Sequence, residues 1–233
     1  MKIVSFKICP FVQRVTALLE AKGIDYEIEY INLKDKPQWF LDISPNGQVP
    51  ILIADNGKVL FESDAIVEYI EEAFPPLQPN ISLEEKATNR AWSYLASKNY
   101  LVQCSTQRSP DKDVLKERIA KLAKPFDRIE EQLGISTYFS GDTMGMVEIA
   151  WLPLLHRARI VEQHSGCDVL GNRPNLKKWQ STLLADELAE KSVAPDFMEA
   201  FSAFYLSDET FLGRGKPVDD CCFSEACATD NCC

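Results

Sequence analysis

The chain has 233 residues, of which 45% are hydrophobic and 26% charged, and its formal charge is −10. That length suffices for one large domain or two small ones with real cores, in the ordinary balance of a soluble globular protein. The acidity, with no basic run to offset it, excludes nucleic-acid binding by phosphate neutralisation, and no stretch reaches the roughly 18 consecutive apolar residues of a membrane helix.

Residues 3–6, "IVSF", form a short β-prone run that Lys7 interrupts. The run is too short for the apolar core of a secretory leader, about 7–15 residues. The expectation is a cytoplasmic protein whose cysteines are mostly thiols. "PFVQRVTALLEAKG" (10–23) predicts a helix, with Pro10 in its first turn, Val12, Val15, Leu18 and Leu19 at helical spacing, and Gly23 at its end. "DYEIEYI" (25–31) alternates at period two, and 36–44 predicts a short second helix. Residues 49–53 and 58–61 read as strands joined by the hairpin signal Asp55-Asn56-Gly57. "SDAIVEYIEEAF" (63–74) predicts a helix with Ser63 as its N-cap.

The order β-α-β-α-β-β-α is the thioredoxin-like arrangement, expected over residues 1–74. "PPLQPN", with three prolines in six residues, marks a linker at 75–82. An all-α bundle is expected over 83–206, so the fold class is α+β. Its clearest helix, 112–133, carries Leu115, Ile119, Leu122, Phe126, Ile129 and Leu133 at steps of four and three, with Pro125 expected to kink or split it. Other helices are expected near 83–105, 146–163, 175–191 and 195–206. The last segment, 207–233, is expected to be a disordered tail. It holds Cys221, Cys222, Cys227, Cys232 and Cys233, whose spacing matches no standard zinc pattern, so no metal is expected.

Four features carry chemistry. Cys9 directly precedes Pro10, which places its sulfur at the start of a helix, facing free N–H groups and the positive end of the dipole. Such cysteines have pKa values of roughly 3.5–7.5, so a nucleophile ionised at neutral pH is expected. No second cysteine stands three residues on, so release of a mixed disulfide needs an outside thiol. The alternative is a small apolar filler at a helix start. Next, "QVPIL" suggests a cis bond at Pro50 that exposes the Val49 backbone to an extended ligand, against an ordinary trans proline at a strand start. Glu62 and Ser63 before a helix could hold an α-amino acid end, amine beside the acid and carboxylate on the hydroxyl and helix N–H groups. An N-cap beside a solvated acid is the plainer alternative. Lys36 could hold a second carboxylate, or be a surface lysine. His156 and His164 need no more than surface or helix roles.

Together these residues resemble the cytosolic glutathione transferases, from about residue 2 to residue 205. "CPFVQRV" is similar to the cysteine-type classes (omega, lambda and the dehydroascorbate reductases), and "INLKDKPQWFLDISPNGQVPIL" to omega-class sequences. The resemblance implies a glutathione-dependent thiol transferase or reductase, with glutathione as co-substrate and a small-molecule or disulfide substrate as partner. It implies that Cys9 forms the mixed disulfide, that Phe11 lines the site by its backbone, and that Val49, before cis-Pro50, pairs with the cysteinyl backbone of glutathione. Glu62 and Ser63 would then hold the γ-glutamyl end and Lys36 the glycyl carboxylate. It further implies a homodimer, and an acceptor pocket for which Trp92 and Tyr94 are candidates. Dehydroascorbate reduction is the nearest alternative, followed by conjugation to electrophiles and a non-enzymatic binding role on the same fold. "GDTMGMVEIAWLP" (141–153) resembles the family's helix-starting segment, with Gly145 at the cap and Glu148 reaching back to it.

Overall fold

The structure, a computed structural model, describes residues 1–215. The first part of the chain runs β1 (Lys2–Ser5), α1 (Pro10–Ala21), β2 (Glu27–Tyr30), α2 (Gln38–Ile43), β3 (Ile51–Ile53), β4 (Val59–Phe61) and α3 (Ser63–Ala73). This is the expected thioredoxin-like order. The sheet order is β2-β1-β3-β4. β1 runs parallel to β2, with Ile3 opposite Ile28, and antiparallel to β3, with Ile3 opposite Leu52. A crossover helix makes the parallel pair possible, and the hairpin at Asp55-Asn56-Gly57 supplies the antiparallel edge.

Alternation along β1 and β3 gives the sheet two apolar faces. Ile3 and Leu52 point to the side covered by α1 and α3, where Val15, Leu18, Ile66 and Ile70 are buried. Val4 and Ile51 point to the other side, where Phe40 of α2 closes a smaller cluster with Ile31. α1 is therefore central, packed between α3 and the helices that follow.

Those helices are α4 (Leu83–Gln107), α5 (Lys112–Gln132), α6 (Met146–Ser165), α7 (Pro174–Leu183), α8 (Leu188–Lys191) and α9 (Phe197–Tyr205). α6 is the core helix: Trp151 is fully buried and its indole N–H donates to Trp92 O at 3.2 Å. The Gln103 amide donates to Leu154 O at 2.8 Å, a second tie between α4 and α6. At the start of α6 the Gly145 N–H donates to the Glu148 carboxylate at 2.8 Å, so glycine at the cap is compensated by the acid. Among the described residues, no helix is long and apolar enough to cross a membrane.

Three expectations need correcting, the first in part. Of the kink or split expected at Pro125, the split does not occur, and α5 runs from Lys112 to Gln132. The helix expected over 175–191 is two: α7 ends at Leu183, and the Asp186 carboxylate takes the Leu188 N–H at 3.0 Å, a side-chain bond that competes with the helical ladder. Residues 207–215, expected to begin a disordered tail, are packed: Leu212 is 1% exposed and the Phe211 N–H donates to Ser109 O at 2.8 Å. Cys221, Cys222, Cys227, Cys232 and Cys233 lie outside the described residues.

Candidate active site

A cleft of about 290 Å³ gathers Cys9, Phe11, Lys36, Val49, Pro50, Glu62 and Ser63 along one wall system. All seven residues expected to act on glutathione line it, although they come from four separate segments of the chain. Leu33, Asn46, Gly47, Gln48 and Leu101 complete the lining.

Cys9 is the N-cap of α1, with extended backbone (φ −76°, ψ 121°) and Pro10 as the first helical residue. Its carbonyl accepts the Gln13 N–H at 3.1 Å, so the thiol stands where the helix leaves its first N–H groups unpaired. The sulfur makes no capping hydrogen bond. The expected thiolate is not obtained. Burial pushes the Cys9 thiol up to about 11, outweighing the lowering pull of the Val12 and Phe11 N–H groups and the Arg157 guanidinium.

Arg157 was not among the sequence candidates. It is fully buried on α6 and donates to Ile8 O, the carbonyl just before Cys9, at 3.3 Å. It also donates to the Gln13 side chain in α1 and to Pro153 O at 3.2 Å. One guanidinium thus ties the α1 start to α6 and puts a positive charge behind the thiol.

The Val49–Pro50 bond is cis, as expected. Among the described residues no hydrogen bond occupies the Val49 N–H or C=O, so both remain free for an added extended segment. Ser63 is buried, yet its hydroxyl has no hydrogen-bond partner among the described residues. The N-cap of α3 is Glu62 rather than Ser63, which becomes the first helical residue. Glu62 has φ +65°, the one described non-glycine residue with positive φ. That backbone costs about 1–3 kcal/mol and persists because its surroundings enforce it. The Asn46 amide donates to the Glu62 carboxylate at 2.7 Å. Behind the α3 start, buried Arg14 pairs with Asp64. Lys36 is half-buried and has no ion pair among the described residues.

The cleft therefore presents a carboxylate beside a helix start, a free strand-like main chain, a thiol and an unpaired cation. Trp92 and Tyr94 do not line it; α4 contributes Leu101 instead. Trp92 packs on Phe139, centroids 5.6 Å apart.

The model of the glutathione S-transferase N-terminal domain matches residues 8–73, and that of the C-terminal domain matches residues 83–187. The chain is 31% identical to glutathione S-transferase omega-1 of Sus scrofa over 215 residues, covering 89% of this chain and 87% of that one. The chain belongs to the glutathione S-transferase family. It is also 29% identical over 188 residues to the probable cytosolic glutathione S-transferase DHAR1 of Oryza sativa subsp. japonica, covering 80% and 84% of the two chains. Among solved structures, glutathione transferase Omega 3C of Trametes versicolor is similar with a TM-score of 0.70 and 27% identity, over 83% of this chain and 88% of that one. As a glutathione S-transferase the chain has the family's fold, a thioredoxin-like sheet domain followed by helices, and its relatives include omega-class members.

Proposed function

We propose that this glutathione S-transferase is a glutathione-dependent thiol transferase or reductase that works through a mixed disulfide on Cys9. The observation that supports this most is that Cys9 shares one cleft with Val49, Lys36, Glu62 and Ser63. Glutathione carries an α-amino acid end, an amide backbone with a central thiol, and a second carboxylate. Glu62 would take the ammonium, the Ser63 hydroxyl and α3 N–H groups the adjoining carboxylate, and Lys36 the glycyl carboxylate. The Val49 main chain would pair with the cysteinyl residue as an added strand would, and the Phe11 backbone would complete the wall. Each group would then meet its opposite in charge or hydrogen-bonding sense.

In the first step the Cys9 thiol gives up its proton as its sulfur attacks the glutathionyl sulfur of a mixed disulfide. The S–S bond breaks, the substrate leaves as a thiolate and takes up a proton, and Cys9 carries glutathione. In the second step the thiolate of another glutathione attacks that sulfur, giving oxidised glutathione, and the Cys9 sulfur leaves as a thiolate that takes up a proton to restore the thiol. Arg157 and the α1 N–H groups stabilise the sulfur charge in both steps.

An assay panel tests this reading: a glutathione–cysteine mixed disulfide, dehydroascorbate and a chlorinated aromatic electrophile, each with free glutathione. Turnover of the first two without conjugation supports it. Conjugation of the electrophile alone would assign the protein to ordinary glutathione transfer, and no turnover of any would favour a binding role.

A further inference from the structure

A second thiol, Cys104 of α4, is laid against the start of α1. Leu101, one turn earlier on the same face of α4, lines the Cys9 cleft. Tyr100, also one turn earlier, sets its ring edge-on against Phe11, with centroids 5.0 Å apart and planes at 71°. Residues 100–104 are thereby packed on the segment that begins with Cys9. The electrostatics agree with the packing. A charge on Cys104 is felt at Cys9, and the buried Arg157 guanidinium acts on both sulfurs. Both thiols are free and partly exposed, whereas the other described cysteine, Cys167, is fully buried.

Cys104 has the surroundings of a nucleophile. The Tyr205 hydroxyl, at the end of α9, donates to its sulfur. Burial raises the Cys104 thiol, while that hydrogen bond and the Arg157 charge pull it back down. Tyr205 is buried, as is Arg157, so neither support is screened by bulk water. The start of α1, α4, α6 and α9 thus bring two thiols, a hydroxyl and a cation together.

We propose that Cys104 is an internal resolving thiol, which displaces glutathione from Cys9 and closes a Cys9–Cys104 disulfide. This rests on the reading that Cys9 carries glutathione. The Cys104 thiol gives up its proton as its sulfur attacks the Cys9 sulfur. The bond between Cys9 and glutathione breaks, and glutathione leaves as a thiolate that takes up a proton. The mixed disulfide is itself the oxidant: glutathione departs reduced, and the cysteine pair is left oxidised. One free glutathione then attacks the Cys9 sulfur and returns Cys104 as a thiol. A second removes the first as oxidised glutathione. The closed pair is therefore a resting form that accumulates when free glutathione is scarce.

Peptide-resolved mass spectrometry of the full chain tests the proposal. The protein is treated with an equimolar amount of oxidised glutathione, quenched in acid and digested with trypsin. Cleavage after Lys7, Arg14, Lys98 and Arg108 puts Cys9 and Cys104 in separate peptides, both apart from the C-terminal cysteines. The expected wild-type product is peptide 8–14 joined to peptide 99–108, with little glutathione left on Cys9. In Cys104→Ala the glutathione held on Cys9 rises about tenfold, because no internal thiol displaces it. Glutathione retained on wild-type Cys9 beside a free Cys104 would overturn the resolving role and leave the Cys9 reading standing. A link from Cys9 to a C-terminal cysteine would do the same. Neither glutathione nor a cross-link on Cys9 in either protein would overturn both. The wild-type cross-link is read without any variant, so the test stays decisive even where Cys104→Ala fails to fold.

Discussion

The side-chain amide of Asn46 donates to the carboxylate of Glu62 at 2.7 Å, joining the loop after α2 to the start of α3 across the mouth of the cleft. Glu62 is held there with φ +65°, a conformation an L-residue adopts only when its surroundings enforce it. The carboxylate is thereby aimed beside Ser63 before any ligand arrives, and such preorganisation lowers the ordering cost of binding.

Asn46→Ala should weaken glutathione binding without unfolding the protein, because both partners are exposed. One hydrogen bond of this kind contributes about 0.5–1.5 kcal/mol, a severalfold loss of affinity. Replacing both Glu62 and Ser63 by alanine should cost more, about 1.5–3 kcal/mol for each charge-assisted bond. Calorimetry with glutathione checks both, and equal affinity in the double variant would show that the γ-glutamyl end binds elsewhere.

Glu62→Gly separates stability from function. Glycine relieves the positive φ, so the variant should be more stable to urea by about 1 kcal/mol, after allowance for the entropy glycine adds to the unfolded chain. Its glutathione affinity should fall, since the carboxylate is gone. A variant that is both less stable and unaltered in binding contradicts the assignment of strain to a functional position.

Cys9 should behave as a high-pKa thiol in the free protein. With burial pushing it up to about 11, its thiolate fraction, and so its alkylation by iodoacetamide, should rise about tenfold per pH unit between pH 7 and 10. Peptide-resolved mass spectrometry follows Cys9 apart from the other cysteines. A plateau reached below pH 8 would mean that the helix start and Arg157 outweigh burial.

This thiol marks how far the sequence could be read. Pro10 after Cys9, the Val-Pro pair and the periodic apolar stripe of α5 are local signals, and the structure places them where the spacing predicts. The surroundings of Cys9 are not local: α6 brings Arg157 against Ile8 from 149 residues away. Asn46 was equally silent, because nothing in "SPNGQ" says that its amide meets residue 62. His156, read as a surface or helix residue, is buried and hydrogen-bonded to Gln13, 143 residues earlier. The break between α7 and α8 turned on a single aspartate side chain bond. The packing of 207–215 rests on contacts far along the chain: Leu212 joins the main core cluster and the Phe211 N–H reaches Ser109 O.

The buried imidazole should make stability fall as pH drops. His156 has a folded pKa lowered to about 3, while an unfolded histidine titrates near its ordinary value of about 6.5. Between those values the unfolded chain binds the extra proton, so the contribution is fully present above about 6.5 and is lost progressively toward 3. The slope is about 1.4 kcal/mol per pH unit. Urea melts of wild type and His156→Phe from pH 7 to 4 should show a shallower decline in the variant. Parallel curves would place the imidazole in contact with solvent.

The covalent role of Cys9 is tested most directly by the turnover of a glutathione–cysteine mixed disulfide by Cys9→Ser. A serine hydroxyl cannot form a mixed disulfide, and Val49, Glu62, Ser63 and Lys36 remain in place to bind glutathione. The account predicts turnover at the uncatalysed background with glutathione affinity retained. Turnover at the wild-type rate would contradict it.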